Sequence, residues 1–199
     1  MSESNESGPP PETRQQIMDA TYEALREHGY ADLTMETIAD EFEKSQSLLH
    51  YHYDTKQDLL VAFVGTFLDR LVDAVESADA DTPRERLDAT VDLLLSDPEA
   101  HSDFQTALLE LRSQAPYVEA YREQFVENDA HLRGFIADIV RDGVDAGDFA
   151  DVDPTRVAET ILVLAEGART RTIVFDDDDA IDTTRAAVDG FIRSHVRAD

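Results

Sequence analysis

The sequence predicts an all-α fold of about nine helices, and three observations carry that expectation. Apolar residues recur at helical spacing through most of the chain, while no stretch alternates with period two for long enough to make a strand. Capping residues stand directly before proline at Thr82-Pro83, Asp97-Pro98 and Asp153-Pro154. Each pair places proline at the first position of a helix, where its missing N–H costs nothing. The 199 residues are 42% hydrophobic and include no cysteine. A sizeable core can therefore form, without a disulfide framework, a thiolate metal site or a cysteine nucleophile.

Taken in order, residues 1–11 read as a disordered tail of serines, Gly8 and three consecutive prolines. The first helix is expected from about Thr13 to His28, with Ile17, Ala20, Thr21, Ala24 and Leu25 inward and Gly29 as its stop. Thr34 caps a short second helix, in which Ile38, Ala39 and Phe42 share a face with Leu33. Glu43-Lys44-Ser45 is a polar break, and Ser45 can cap a third helix anchored by Leu48 and Leu49. Thr55-Lys56-Gln57-Asp58 is a capping box for a fourth helix carrying Leu59, Leu60, Phe63, Val64, Phe67, Leu68, Leu71, Val72 and Val75. Beyond Ala78, the prolines divide the chain into helices over about 83–96, 98–114, 116–143, 154–175 and 178–197. Gly147 falls in a loop, and the run Asp176 to Asp179 reads as a solvated turn. The domains follow: a compact unit over 12–58 and a second over 59–199.

A third helix this short is unstable alone and must be held by its neighbours. That is how a helix-turn-helix presents a recognition helix to a major groove. The run Leu49-His50-Tyr51-His52-Tyr53-Asp54-Thr55-Lys56-Gln57-Asp58-Leu59 resembles the signature of the tetracycline-repressor (TetR) family. Gly29-Tyr30 closing the first helix, and Leu33-Thr34 to Ile38-Ala39, fit the same pattern. The detailed likeness covers roughly residues 13–68. It implies a helix-turn-helix DNA-binding domain joined by the fourth helix to a C-terminal effector-binding and dimerisation domain. It also implies a ligand-responsive repressor that binds a palindromic operator as a dimer. Family members read bases with the residues matching Gln46, Ser47 and Leu48, and touch phosphates or bases through those matching His50 and His52.

The chemistry of these residues suits those roles. Gln46 can pair bidentately with adenine, Ser47 can donate or accept, and the Leu48 methyls suit a thymine methyl. Lys56 and the free amides opening the fourth helix suit a phosphate. Thr34, Met35, Lys44, Ser45 and Tyr51 complete the candidate DNA-binding set, although Tyr51 and Tyr53 read more readily as core than as stacking platforms. His50 stands where tyrosine is usual, and Glu43-Lys44 where Gly-Val is common. His50 and His52, two apart, do not share a helix face and make no metal pair.

For the C-terminal region, the resemblance implies an effector pocket. Its candidate residues are Phe67, His101, Phe104, Gln105, Leu108, Arg112, Tyr117, Tyr121 and His131, with Phe63 and Phe125 as further apolar lining. Dimerisation is expected through Val157, Ile161, Leu164, Ala165 and Ala168 of the eighth helix and Val188, Phe191 and Ile192 of the ninth. Two such helices per subunit form a four-helix bundle; the alternative is that both faces are buried within one chain. The expected partners are a double-stranded DNA operator, a small-molecule effector and a second copy of the chain. The rival reading is a small-molecule sensor that has lost its DNA affinity. No nucleophile constellation, Glu-x-x-His pair or glycine-rich phosphate loop suggests an enzyme, and no metal or cofactor is expected. No apolar run approaches the ~20 residues of a membrane span, so a soluble, cytoplasmic protein is expected.

Charge is the unusual feature. With 17 basic and 44 acidic residues the formal net charge is −27 and the pI is ≈ 4.3. Lys44 and Lys56 are the only lysines, against 15 arginines. Such a surface resembles the proteins of salt-in halophiles. Residues 12–58 hold 11 acidic side chains and four basic ones, a net charge of −7, so phosphates should be repelled in dilute buffer. Near 1 M salt the Debye length is only about 3 Å, and contacts at touching distance decide the outcome. Operator affinity is therefore expected to fall less with KCl than the slope of about −0.9 per phosphate contact multiplied over a basic interface. Titration from dilute buffer to multimolar KCl checks this, and a steep monotonic fall would count against it.

Overall fold

Threonine and aspartate side chains cap the starts of four helices in this protein, two of them with proline directly behind the cap. The computed structural model describes residues 9–42, 46–77, 80–96 and 102–197, apart from the side chains of residues 67, 68, 71 and 102. The helices are α1 (Pro11–Asp32), α2 (Met35–Glu41), α3 (Gln46–His52), α4 (Lys56–Glu76) and α5 (Pro83–Leu94). They continue as α6 (Ser102–Gln114), α7 (Glu119–Ala146), α8 (Pro154–Phe175) and α9 (Ala180–Phe191), then a π turn over Ile192–Val196. Among the described residues there is no strand, only an isolated bridge between Phe149 and Arg197. The Asp97-Pro98 cap lies outside the described residues.

The caps work as their residue types require. The Thr82 hydroxyl accepts the Glu85 N–H at 3.2 Å, and the Glu85 carboxylate accepts the Thr82 N–H at 3.0 Å. Asp153 accepts the N–H groups of Thr155 and Arg156 at the start of α8. Gly29, at φ 67° and ψ 176°, breaks the helical course of α1 in a conformation open only to glycine, and one further turn carries the chain to Asp32. Gly147 ends α7 at φ 81°, and the Asp148 and Phe149 N–H groups turn back to the Gly143 carbonyl at 2.9 and 3.0 Å. This return lays the Phe149 ring directly on Gly143, where a methyl group would overlap it.

Two cores result. The C-terminal core joins Leu87, Val91 and Leu94 of α5, Ile136, Ile139 and Val140 of α7, and the inward faces of α8 and α9. The N-terminal core holds Ile17, Met18, Leu25, Ile38, Leu49, Leu59 and Leu60, and reaches into the second half of the chain to take Phe104, Ala107 and Leu111 of α6 and Tyr121 of α7. Phe104 lies between Tyr22 of α1, at 4.5 Å between ring centroids, and Phe63 of α4, at 6.0 Å. Burying an aromatic side chain of this size contributes about 2–3 kcal/mol. The sequence boundary between residues 58 and 59 thus falls inside α4 and inside one continuous core.

Several expectations need correction. Helix α7 opens at Glu119 and not at Pro116, because the Tyr117 and Val118 N–H groups both donate to the Gln114 carbonyl and prolong the turn that ends α6. Helix α9 stops at Phe191, the π turn follows, and the Ala150 N–H holds its end through the Val196 carbonyl at 2.8 Å. Of the residues expected at a dimer interface, Val157, Ile161, Ala165, Ala168, Val188 and Ile192 are all buried within the chain. The α8 stripe packs on α7 and α9 packs on α8; helical periodicity identifies an inward face but not the neighbour it meets. Leu164 and Phe191 remain half-buried.

Burial also sets the alkaline behaviour. It raises the phenol pKa of Tyr22, Tyr53 and Tyr121 above the ordinary 10.0, most strongly at Tyr121, where Tyr30 and the Asp58 charge push the same way. Below that value both folded and unfolded chains hold the protons and the stability is complete. Above it the unfolded chain releases protons that the fold retains, so stability falls as pH rises. Urea unfolding between about pH 9 and 11 should show falling midpoints, and Tyr121→Phe should flatten the fall.

Candidate nucleic-acid interface

Helix α2 has seven residues and needs support, which a reciprocal cap supplies. The Thr34 hydroxyl accepts the Thr37 N–H at 3.1 Å, and the Thr37 hydroxyl accepts the Thr34 N–H at 2.9 Å. Helix α3 is anchored from beneath by Leu49, at 0% exposure, and by Tyr53 just beyond its end. The opposite face turns Gln46, Ser47, His50 and Tyr51 to solvent, which is the presentation a major groove requires. Thr34 lies exposed and Met35 half-buried at the start of α2. Lys44 and Ser45 lie outside the described residues.

The two tyrosines part company. Tyr53 is core, but Tyr51 is 82% exposed, contrary to the expectation that it packs inward. It sits two positions after Leu49, on the other side of the helix. The half-buried His52 meets it edge-on at 5.0 Å. Leu48 is half-buried and packs partly against the N-terminal core, so its methyls are divided between core and surface.

Lys56 is placed differently from expectation. Its ammonium donates to the Leu33 carbonyl at 2.8 Å and lies 4.8 Å from the centroid of the Tyr30 ring. Partial burial lowers its pKa. The Asp58 N–H, one of the amides expected to face a phosphate, donates instead to the Thr55 hydroxyl at 3.1 Å. Lys56 therefore braces the α1–α2 turn from α4. Glu110 of α6 meets the same turn, accepting the Tyr30 N–H at 3.0 Å.

Behind this head, Gln105, Leu108 and Arg112 line a cavity of ≈ 40 Å³ between α6 and α8. Its other walls are Leu109, Glu166, Arg169, Thr170 and Ile173, which sequence reasoning missed. The missed signal was the break in the α8 apolar pattern by charged residues three apart, Glu166 and Arg169. The other candidates go elsewhere. Phe104 and Tyr121 are in the N-terminal core, Tyr117 is 85% exposed, and His131 is exposed on α7. Phe63 is core as well, whereas Phe125 lines a neighbouring hollow of ≈ 310 Å³ that shares Arg112 and Glu166. His101 and the side chain of Phe67 lie outside the described residues.

Residues 17–63, which contain this head, match the family model of bacterial regulatory proteins of the tetR family. Residues 83–197 match that of the BetI-type transcriptional repressor, C-terminal. The chain belongs to the TetR family. As a TetR-family member it is a DNA-binding transcriptional regulator and not an enzyme. A TetR transcription regulator from Haloarcula marismortui is 42% identical, with a TM-score of 0.83 over 94% of this chain and 99% of that one. The HTH-type transcriptional regulator BetI of Rhizobium meliloti is 28% identical over 193 residues, 96% of this chain and 93% of that protein. A regulator from Saccharomonospora viridis, solved in complex with choline, shares the TetR fold at 23% identity and a TM-score of 0.75, covering 96% of this chain and all of that one.

The Lys56 brace leads to a measurable consequence. Lys56→Met keeps the aliphatic stem but leaves the Leu33 carbonyl without its charged donor. It should lower the unfolding free energy by about 1–2 kcal/mol, read by chemical denaturation.

Proposed function

We propose that this regulator is a repressor that binds a palindromic operator as a homodimer and releases it when a small molecule enters the α6–α8 region. The observation that carries the DNA reading is the polar outer face of α3, where Gln46, Ser47 and His50 stand free while Leu49 fixes the helix from below. Two such helices related by a two-fold axis would enter successive major grooves about 34–36 Å apart.

Support for the dimer is the outer face of α8. Val163 and Val174 are each 56% exposed and Phe175 is 66% exposed, while Gly167 between them has open space around it. A second copy meeting this face would cover apolar surface that otherwise faces water. Support for ligand control is the double role of α6. Phe104, Ala107 and Leu111 are part of the N-terminal core, and Gln105, Leu108, Leu109 and Arg112 line the cavity. A ligand that displaces α6 must move the head with it, and so favours a head spacing that no longer fits the operator. The acidic surface suits work in concentrated salt, inside the cell where the operator is.

Selection of duplexes from a genomic or random pool in multimolar KCl should recover a palindrome with half-sites one helical turn apart. Gln46→Ala should then cut affinity for it by about tenfold or more. Recovery of no palindrome would point to the sensor that has lost DNA affinity, whereas unchanged binding by Gln46→Ala would remove Gln46 from the base-reading residues.

A further inference from the structure

We infer that the cavity between α6 and α8 is built for a small carboxylate with a short apolar tail, its head held by Arg112 and Arg169. This rests on the ligand-responsive reading above and names the chemistry of that site.

Among the described residues the charged groups lining the cavity are Arg112, Glu166 and Arg169, two cations against one anion. That excess is the reverse of the chain as a whole, where acidic residues outnumber basic ones 44 to 17. Arg112 pairs with Glu166 at 2.9 Å. Arg169 donates to the Leu94 carbonyl at 2.7 Å and, among the described residues, has no carboxylate in ion-pair range. Burial and the nearby Arg112 charge both push the Arg169 pKa down, and Glu166 pushes the other way. The two guanidinium groups thus feel each other's charge. A carbonyl satisfies a donor, but among the described residues it leaves a sheltered charge without a counter-charge in contact, which is costly. A carboxylate head accepting from both forks removes the repulsion and uses bidentate geometry that guanidinium favours.

Size agrees with this. The inner cavity, at ≈ 40 Å³, has room for a few waters or one carboxylate head. Leu108, Leu109 and Ile173 make the rest of its wall apolar. On the other side of the Arg112–Glu166 pair the ≈ 310 Å³ hollow offers Ala115, Phe125 and Val126 to a tail, with Arg122 and Asp129 at the same hollow for its polar end. A cationic ligand fits less well. The aromatic face it would seek, Phe125, lies 5.5 Å from the Arg112 guanidinium, and the two carboxylates of the hollow, Glu166 and Asp129, are paired with Arg112 and Arg133. A carboxylate that draws Arg112 from Glu166 uncouples α6 from α8, and Phe104 on the adjoining face of α6 follows.

The test compares two probes with the same tail and opposite heads, hexanoate and hexyltrimethylammonium, titrated calorimetrically into the full chain at one fixed KCl concentration. Hexanoate should bind and the ammonium should not. Arg169→Gln should weaken hexanoate by about tenfold or more, whereas Glu166→Gln, which removes the competing carboxylate, should tighten it. A merely structural role would not give opposite signs at the two positions. Absence of hexanoate binding, preference for the ammonium, or weakening by both variants would overturn the inference. Operator release separates the two levels. Hexanoate that binds without releasing DNA supports the site and sinks ligand control, whereas release by the ammonium alone keeps ligand control and sinks the carboxylate site.

Discussion

Helix α6 is the member on which the rest of this molecule depends, because two adjoining faces of it are packed against different things. On one face Phe104 fills the space between Tyr22 and Phe63, making α1, α4 and α6 parts of one core. On the other face Arg112 reaches Glu166 of α8 and closes the cavity between them. Protein interiors are close-packed, so α6 cannot slide against α8 while leaving Phe104 in place. The head and the body are consequently two ends of a single mechanical object, although each has its own core.

The polar contacts near the head fit the same scheme. Glu110 of α6 holds the Tyr30 amide, Tyr30 underlies the Lys56 ammonium, and Lys56 holds the Leu33 carbonyl. This chain of contacts crosses the turn that leads into α2. A small displacement of α6 therefore has a polar path into the helix-turn-helix as well as an apolar one through Phe104. The path is short, local and made of groups that each satisfy a neighbour.

Much of the fold was legible in the sequence because local rules fixed it. Thr34, Thr55, Thr82 and Asp153 cap where they were expected to, and Ile17, Ala20, Thr21, Ala24 and Leu25 face inward together. The site was harder, for physical reasons. An apolar stripe such as Val157, Ile161, Ala165 and Ala168 says that one face avoids water but not whether α7 or a second subunit covers it. Phe104 and Tyr121 looked like pocket lining because nothing in the sequence tells that α6 and the start of α7 lie against the head. Lys56 was misplaced because a carbonyl acceptor 23 residues away leaves no local signature. Arg169 and Glu166 were overlooked since they interrupt an apolar pattern, which is where a cavity rather than a core is lined.

The exposed Tyr51 has a practical side. The chain has six tyrosines and no tryptophan, so tyrosine alone sets its near-ultraviolet emission. Tyr53 and Tyr121 are enclosed, whereas Tyr51 stands in water on the outer face of α3. A base or sugar brought against that ring would alter its emission while the enclosed rings kept theirs. The regulator thus carries its own optical label at the place where a duplex would dock, and engagement could be followed without attaching a dye.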